Sequence, residues 1–131
     1  GHNISIVSHN CSPLNYRYYS QTDDNQHYRY EDYFENLEKL SLNFDIGGMK
    51  EGTYLIKTRV VNSRSGSLQD LMSKVFLDDV TTFGDSEIDY LKSQAVPSLT
   101  LSQVTVYDGH LNWQIELQAN EICYSHIIYL Y

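Results

Sequence analysis

Residues 110–118 read HLNWQIELQ, with Leu111, Trp113, Ile115 and Leu117 alternating with Asn112, Gln114, Glu116 and Gln118. Successive side chains of a strand point to opposite faces, so this run buries one face and wets the other. Just upstream, LTLSQVTVY (residues 99–107) leads into Asp108-Gly109, the dipeptide that a two-residue hairpin turn favours. Downstream, ANE (119–121) turns the chain into ICYSHIIYLY (122–131), a β-branched and aromatic run. These three strands read as an antiparallel meander.

The first half supplies three more. NISIVSH (3–9) is short and apolar, LSLNFDI (40–46) alternates Leu40, Leu42, Phe44 and Ile46, and GTYLIKTRVVN (52–62) sets Tyr54, Ile56, Thr58 and Val60 on one side. GGMKEG (47–52) reads as the turn of a hairpin between the last two. Two helical patterns lie between these strands and the meander. SLQDLMSKVF (67–76) gathers Leu68, Leu71, Met72 and Val75 on one face. DSEIDYLKSQA (85–95) has Asp85 or Ser86 as its cap, Ile88 and Leu91 turned inward, and Pro97 beyond its end. Strands joined by antiparallel turn chemistry, with one or two short helices, define an all-β antiparallel β-sandwich. A closed barrel is the alternative. Trp113, Ile115, Phe44 and Ile56 are the expected core.

The chain has 131 residues, which suits one domain with a real core. Gly1-His2 reads as a tag remnant, leaving residues 3–131 as a single domain and a fragment of a larger multidomain protein. Nine Lys and Arg against seventeen Asp and Glu give a net charge of −8. Phosphate binding draws on a basic surface, so no nucleic-acid contact is expected, and an anionic membrane is disfavoured for the same reason. No apolar run approaches the ~20 residues of a membrane helix and no signal peptide pattern is visible, which points to the cytoplasm. Cys11 and Cys123 could pair if the terminal strands are neighbours; two isolated cysteines without a secretory signal are more often free thiols.

No set of residues supports catalysis, a cofactor or a metal. His9 and Cys11 share a strand face, but a metal needs three or four ligands and no second pair appears. His126, inside an apolar strand, reads as a hydrogen-bonded core or edge histidine. Asp78-Asp79 and the acids Glu31, Asp32 and Glu35 could be forced into the carboxylate pair of a glycoside hydrolase; in so acidic a chain they read instead as solvated surface. No nucleophile elbow, phosphate loop or dinucleotide fingerprint occurs, and SRSG (63–66) is an ordinary turn.

Taken together, GTYLIKTRVVNSRSG (52–66), EIDYLKSQAVPSL (87–99) and VTVYDGHLNWQIELQANEICYSHIIYL (104–130) resemble the C-terminal β-domain of family 39 glycoside hydrolases, the β-xylosidase group. YRYEDYFENLEKLSLNFDIGGMKEGTYLI (28–56) fits the same pattern. In that family a separate (β/α)8 barrel carries the two catalytic glutamates, one from an Asn-Glu-Pro motif. Here Asn120-Glu121 is followed by Ile122, so no catalytic residue carries over. The resemblance implies an accessory sandwich packed beside a barrel. The same module also occurs in large AraC-type transcriptional regulators. The string from Tyr90 to Pro97 is similar to that branch, and Met72, Val75 and Phe76 stand where the xylosidases carry Trp and a Met-Gly pair. The implied parent is a sugar-responsive regulator that binds DNA through other domains, with an active β-xylosidase as the alternative.

Within the resemblance, NYRYYSQTDDNQHYRYEDYF (15–34) becomes a long loop between the first two strands. Its rings, Tyr16, Tyr18, Tyr19, Tyr28, Tyr30, Tyr33 and Phe34, are the candidate interface or sugar-contact residues. Stacking on nucleic acid would require cations between the rings, yet only Arg17 and Arg29 are present against Asp23, Asp24, Glu31 and Asp32. Tyrosine joins apolar area to a hydroxyl, which suits packing against the neighbouring barrel. Contact with carbohydrate, as in a stand-alone binding module, is the competing reading.

Overall fold

The computed structural model of the chain describes residues 3–20, 30–75 and 83–131. Its elements run β1 (Ile4–His9), α1 (Tyr16–Tyr19), a 3-10 turn (Tyr30–Tyr33), β2 (Leu40–Gly47), β3 (Gly52–Val61), α2 (Leu68–Val75), α3 (Asp85–Gln94), β4 (Ser98–Val106), β5 (His110–Leu117) and β6 (Ile122–Tyr129). The strands form two antiparallel sheets, one of four strands in the order β1-β6-β3-β4 and one made of β2 and β5. The all-β sandwich expected from the sequence is what the chain adopts.

The strand pairing differs from the expected hairpins. β2 pairs with β5 rather than β3, and the last three strands form no meander, because β4 and β6 lie in the large sheet and β5 in the small one. Both glycine-containing links carry the chain from one sheet to the other. Gly48 (φ 73°) and Gly109 (φ 77°) adopt the left-handed backbone of tight corners, and the Met49 N–H donates to the Gly109 carbonyl at 2.9 Å. Corners of this sort let strands switch layers in a sandwich. A glycine dipeptide specifies a sharp reversal, but whether the reversed strand pairs or crosses depends on where its apolar face finds cover.

That cover is the core. Tyr54, Ile56, Val106, Leu111 and Ile127 are fully or almost fully buried, with Trp113, Ile46, Met49 and Tyr129 packed against them. Leu111 and Trp113 bring the alternation of β5 onto the inner face, opposite Ile46 and Phe44 of β2. Of the four expected core residues only Ile56 is wholly buried. Phe44 and Trp113 stack at 5.0 Å, and both they and Ile115 stay half-buried, because two strands are too narrow to be roofed completely.

The helices contribute less than their patterns imply. Leu91 of α3 is buried, whereas Ile88 and Leu68 remain 38% and 47% exposed. The cap of α3 is Gly84 and makes no side-chain hydrogen bond, which corrects the assignment to Asp85 or Ser86. At α2, Ser67 Oγ accepts from the Asp70 N–H at 3.3 Å and donates to the Asp70 carboxylate, a reciprocal arrangement that satisfies an otherwise orphaned donor. The one-turn α1 and the 3-10 turn were not legible as separate elements. Val75 is described by its backbone only, and Phe76, Asp78 and Asp79 lie outside the described residues.

Candidate functional site

The aromatic loop is held at its base by one asparagine. Asn15 Oδ1 accepts from the Arg17 N–H at 2.9 Å, capping α1, while Asn15 Nδ2 donates to the Asp32 carbonyl at 2.7 Å and the Phe34 carbonyl at 3.2 Å. The Asn15 N–H donates to the Tyr33 carbonyl at 2.8 Å, and the Glu35 N–H to the Pro13 carbonyl at 3.0 Å. Together with the bridge between Leu14 and Phe34, these bonds close the loop ends side by side. Asparagine suits the position because its short amide caps a helix and still reaches a facing backbone.

The structure brings Tyr18 against Tyr33 (6.1 Å) and Tyr19 (5.4 Å), both edge to face. Tyr33 and Phe34 are half-buried, Tyr18 is partly open, and Tyr16 and Tyr19 are 72% and 75% exposed. Arg17 lies over the Tyr16 ring at 5.9 Å. Tyr30 is described by its backbone only, and Tyr28, Asp23 and Asp24 lie outside the described residues. The described rings therefore offer area and hydroxyls, but perpendicular pairs do not make the flat platform that a sugar face would stack upon.

At one end of the sandwich, Asn120-Glu121 has a structural role. Asn120 takes the left-handed conformation (φ 59°), and its Oδ1 accepts from the Ser12 N–H at 2.9 Å. Glu121 is buried, accepting from Asn62 Nδ2 at 2.8 Å and from the Gln118 N–H at 2.7 Å. Asn10 Nδ2 donates to the Glu38 carbonyl at 2.8 Å and the Gln118 carbonyl at 3.2 Å, joining the same knot. An open cleft of about 400 Å³ adjoins it between Leu37, Ile122, Asn62 and Gln118. With both Glu121 oxygens and the Asn62 amide engaged internally, this knot fastens strand ends rather than presenting groups to a ligand.

The remaining sequence candidates separate. Cys11 is exposed and Cys123 buried, both free; β1 pairs with β6 and sets Ser8 beside Cys123, so Cys11 lies past the paired stretch. The Cys11 thiol and His9 Nδ1 are 3.2 Å apart. Among the described residues no three His, Cys, Asp or Glu side chains are grouped to hold a metal, and no helix is long and apolar enough to cross a membrane. His126 is half-buried on the outer face of the four-stranded sheet, its ring 6.4 Å from that of Tyr124.

That outer face is what reading the sequence missed. On β4, Ser98, Thr100 and Ser102 occupy the core-facing positions and are exposed, while Leu99 and Leu101 point outward and are 53% and 57% exposed. The signal was present in LTLSQ, whose apolar set can be assigned to a face only once the register of Val104 and Val106 is known.

The architecture is thus that of a small two-sheet β-domain with short helices. No family model matches the chain, and no curated protein matches it. Among solved structures, it is similar over 99% of its length to the GH39 enzyme from Xanthomonas axonopodis pv. citri, with TM-score 0.63 and 12% identity, covering 24% of that chain. It is similar over its whole length to a monomeric β-xylosidase from Caulobacter crescentus CB15, with TM-score 0.63 and 17% identity, covering 25% of that chain. A bacterial orthologue of human α-L-iduronidase matches 74% of the chain with TM-score 0.52 and 8% identity. At these identities the likeness establishes the fold. The chain spans about a quarter of the length of the first two.

Proposed function

We propose that the chain is a non-catalytic accessory β-sandwich that packs against a glycosidase-like (β/α)8 barrel. The observation that carries the reading is the likeness itself: all of this chain corresponds to about a quarter of each GH39 enzyme, leaving three quarters of those proteins for other parts. In its finer form the reading places the pair in a sugar-responsive AraC-type regulator. That parent draws only on the Tyr90–Pro97 string and the departures at Met72, Val75 and Phe76; the structural neighbours add nothing to it.

The test has two arms. The chain alone is expected to leave an aryl β-xyloside unhydrolysed, and the remaining portion of its polypeptide, co-expressed as a separate chain, is expected to co-elute with it. Hydrolysis by the chain alone, or failure of the two parts to associate, would overturn the reading. The exposed rings of Tyr16 and Tyr19 keep carbohydrate contact as a second reading. Saturable shifts of the Tyr16–Tyr19 amides on titration with xylo-oligosaccharides would establish it.

A further inference from the structure

We infer that the outer face of the four-stranded sheet is a docking surface for an acidic, apolar-studded face of a neighbouring protein domain. The inference rests on the accessory-domain reading and goes beyond it by naming the face and the chemistry of its partner.

The strand register puts Val7, Tyr124, Arg59 and Leu99 in one row across all four strands, with Ser5, His126, Lys57 and Leu101 in the next. At strand spacings of about 4.8 Å each row runs roughly 14 Å. Val7, Leu99, Leu101 and Ile122 are all at least half exposed. Leu99 and Leu101 lie together on β4, Val7 and Ile122 flank the opposite side, and Tyr124, His126, Lys57 and Arg59 stand between the two apolar patches. The inversion on β4 is the most telling feature. A half-buried strand normally turns its apolar set to the core, but here the first half of β4 turns serines and threonine inward and leucines outward. Among the described residues nothing covers those leucines.

Charge identifies the occupant. Lys57 and Arg59 stand at the centre of the face, and neither forms an ion pair among the described residues. No strand position on this face is Asp or Glu, although the chain has seventeen acids and a net charge of −8. A second copy stacked face to face would set Lys57 and Arg59 against their own counterparts with no acid between them, which disfavours self-association. Two central cations on an acidic protein are too few to hold a phosphate backbone. A protein surface that places carboxylates over Lys57 and Arg59 and apolar groups over the leucines satisfies both features.

Hydroxyl-radical footprinting of the full-length polypeptide, compared with this chain alone, tests the inference. Leu99, Leu101 and Ile122 are expected to react several-fold more slowly in the full-length protein, with Tyr107, which is 79% exposed, unchanged as a reference. Lys57→Glu with Arg59→Glu, or 0.5 M salt, should restore their reactivity. Unchanged leucines with protected Tyr16 and Tyr19 would overturn the face and leave the accessory reading standing. If neither set is protected, both fall. Protection that survives charge reversal but is lost in Leu101→Thr would overturn the acidic partner in favour of a purely apolar one. Concentration-dependent protection in the chain alone would assign the face to a second copy.

Discussion

The two sheets of this sandwich present opposite outer faces to their surroundings. The small one is polar throughout: Ser41, Asn43 and Asp45 on β2 stand beside Asn112, Gln114 and Glu116 on β5, all exposed. Two ion pairs decorate it, Lys39 with Glu116 at 3.1 Å and His110 with Asp45 at 2.8 Å. This is how an antiparallel sheet with one solvated side is expected to look. The large sheet turns outward leucines, valine, isoleucine and tyrosine around Lys57 and Arg59, which form no ion pair among the described residues. The same chain, under the same pressure to remain dissolved, has solved the problem of a water-facing sheet on one side and left it unsolved on the other. Where a protein departs from its own practice, the departure points to a partner.

The sharpest way to probe that contrast is to compare the two sides of a single strand. Ile127 and Ile122 both lie on β6, the first wholly buried and the second half exposed. Ile127→Ala is expected to cost about 2–5 kcal/mol in urea unfolding of the chain, since it removes core contacts and leaves a cavity. Ile122→Ala should cost far less, and equal losses would mean that the face is already covered within the chain.

Next in size is the knot at the end of the sandwich. Glu121→Gln sets an amide donor against the Asn62 amide or the Gln118 N–H and should destabilise the chain by about 1–3 kcal/mol, again read by urea unfolding. Leu101→Thr is expected to change the stability of the chain alone by no more than about 0.5 kcal/mol, because the side chain is exposed and threonine suits a strand. A large loss there would show that the leucine serves this fold rather than a partner.

The smallest effect belongs to the polar face and depends on pH. The hydrogen bond to Asp45, with that residue's charge, holds the imidazole of His110 above its ordinary value of 6.5. The pair's contribution to stability is therefore complete below that value and fades as the pH rises through the raised one. With both side chains more than half exposed, the change is slight and is further screened by salt. Unfolding midpoints followed from pH 6 to 8 should decline slightly more in the wild-type chain than in Asp45→Asn; identical slopes would remove the pair from consideration.

Much of this architecture was legible in sequence, and the misreadings share a cause. Strict alternation in HLNWQIELQ fixed both the strand and its buried side, since Leu111 and Leu117 point inward. Asp108-Gly109 and Gly47-Gly48 located the corners correctly but suggested the wrong partners, because a turn records local backbone geometry and pairing is decided by long-range burial. The described ends of the aromatic segment lie between β1 and β2 as expected, but they carry the one-turn α1 and the 3-10 turn, which the tyrosine-rich pattern did not reveal. The outward leucines escaped notice because one residue of register separates a core strand from an inverted one. Asn15 and Asn120 look like any turn asparagines in sequence; their roles appear only when distant backbone comes within 3 Å of their amides.

The placement of β6 carries a consequence for how the protein is made. This last strand is an interior member of the large sheet, with β1 on one flank and β3 on the other. A nascent chain emerging from the ribosome would hold every other strand and still lack the one that joins its beginning to its middle. Among the described residues β1 has no other sheet partner, so it stays unpaired until Ile122–Tyr129 are released. Assembly of this domain is in that sense a closing act, and a truncation before Ile122 would remove the sheet's keystone rather than trim its edge.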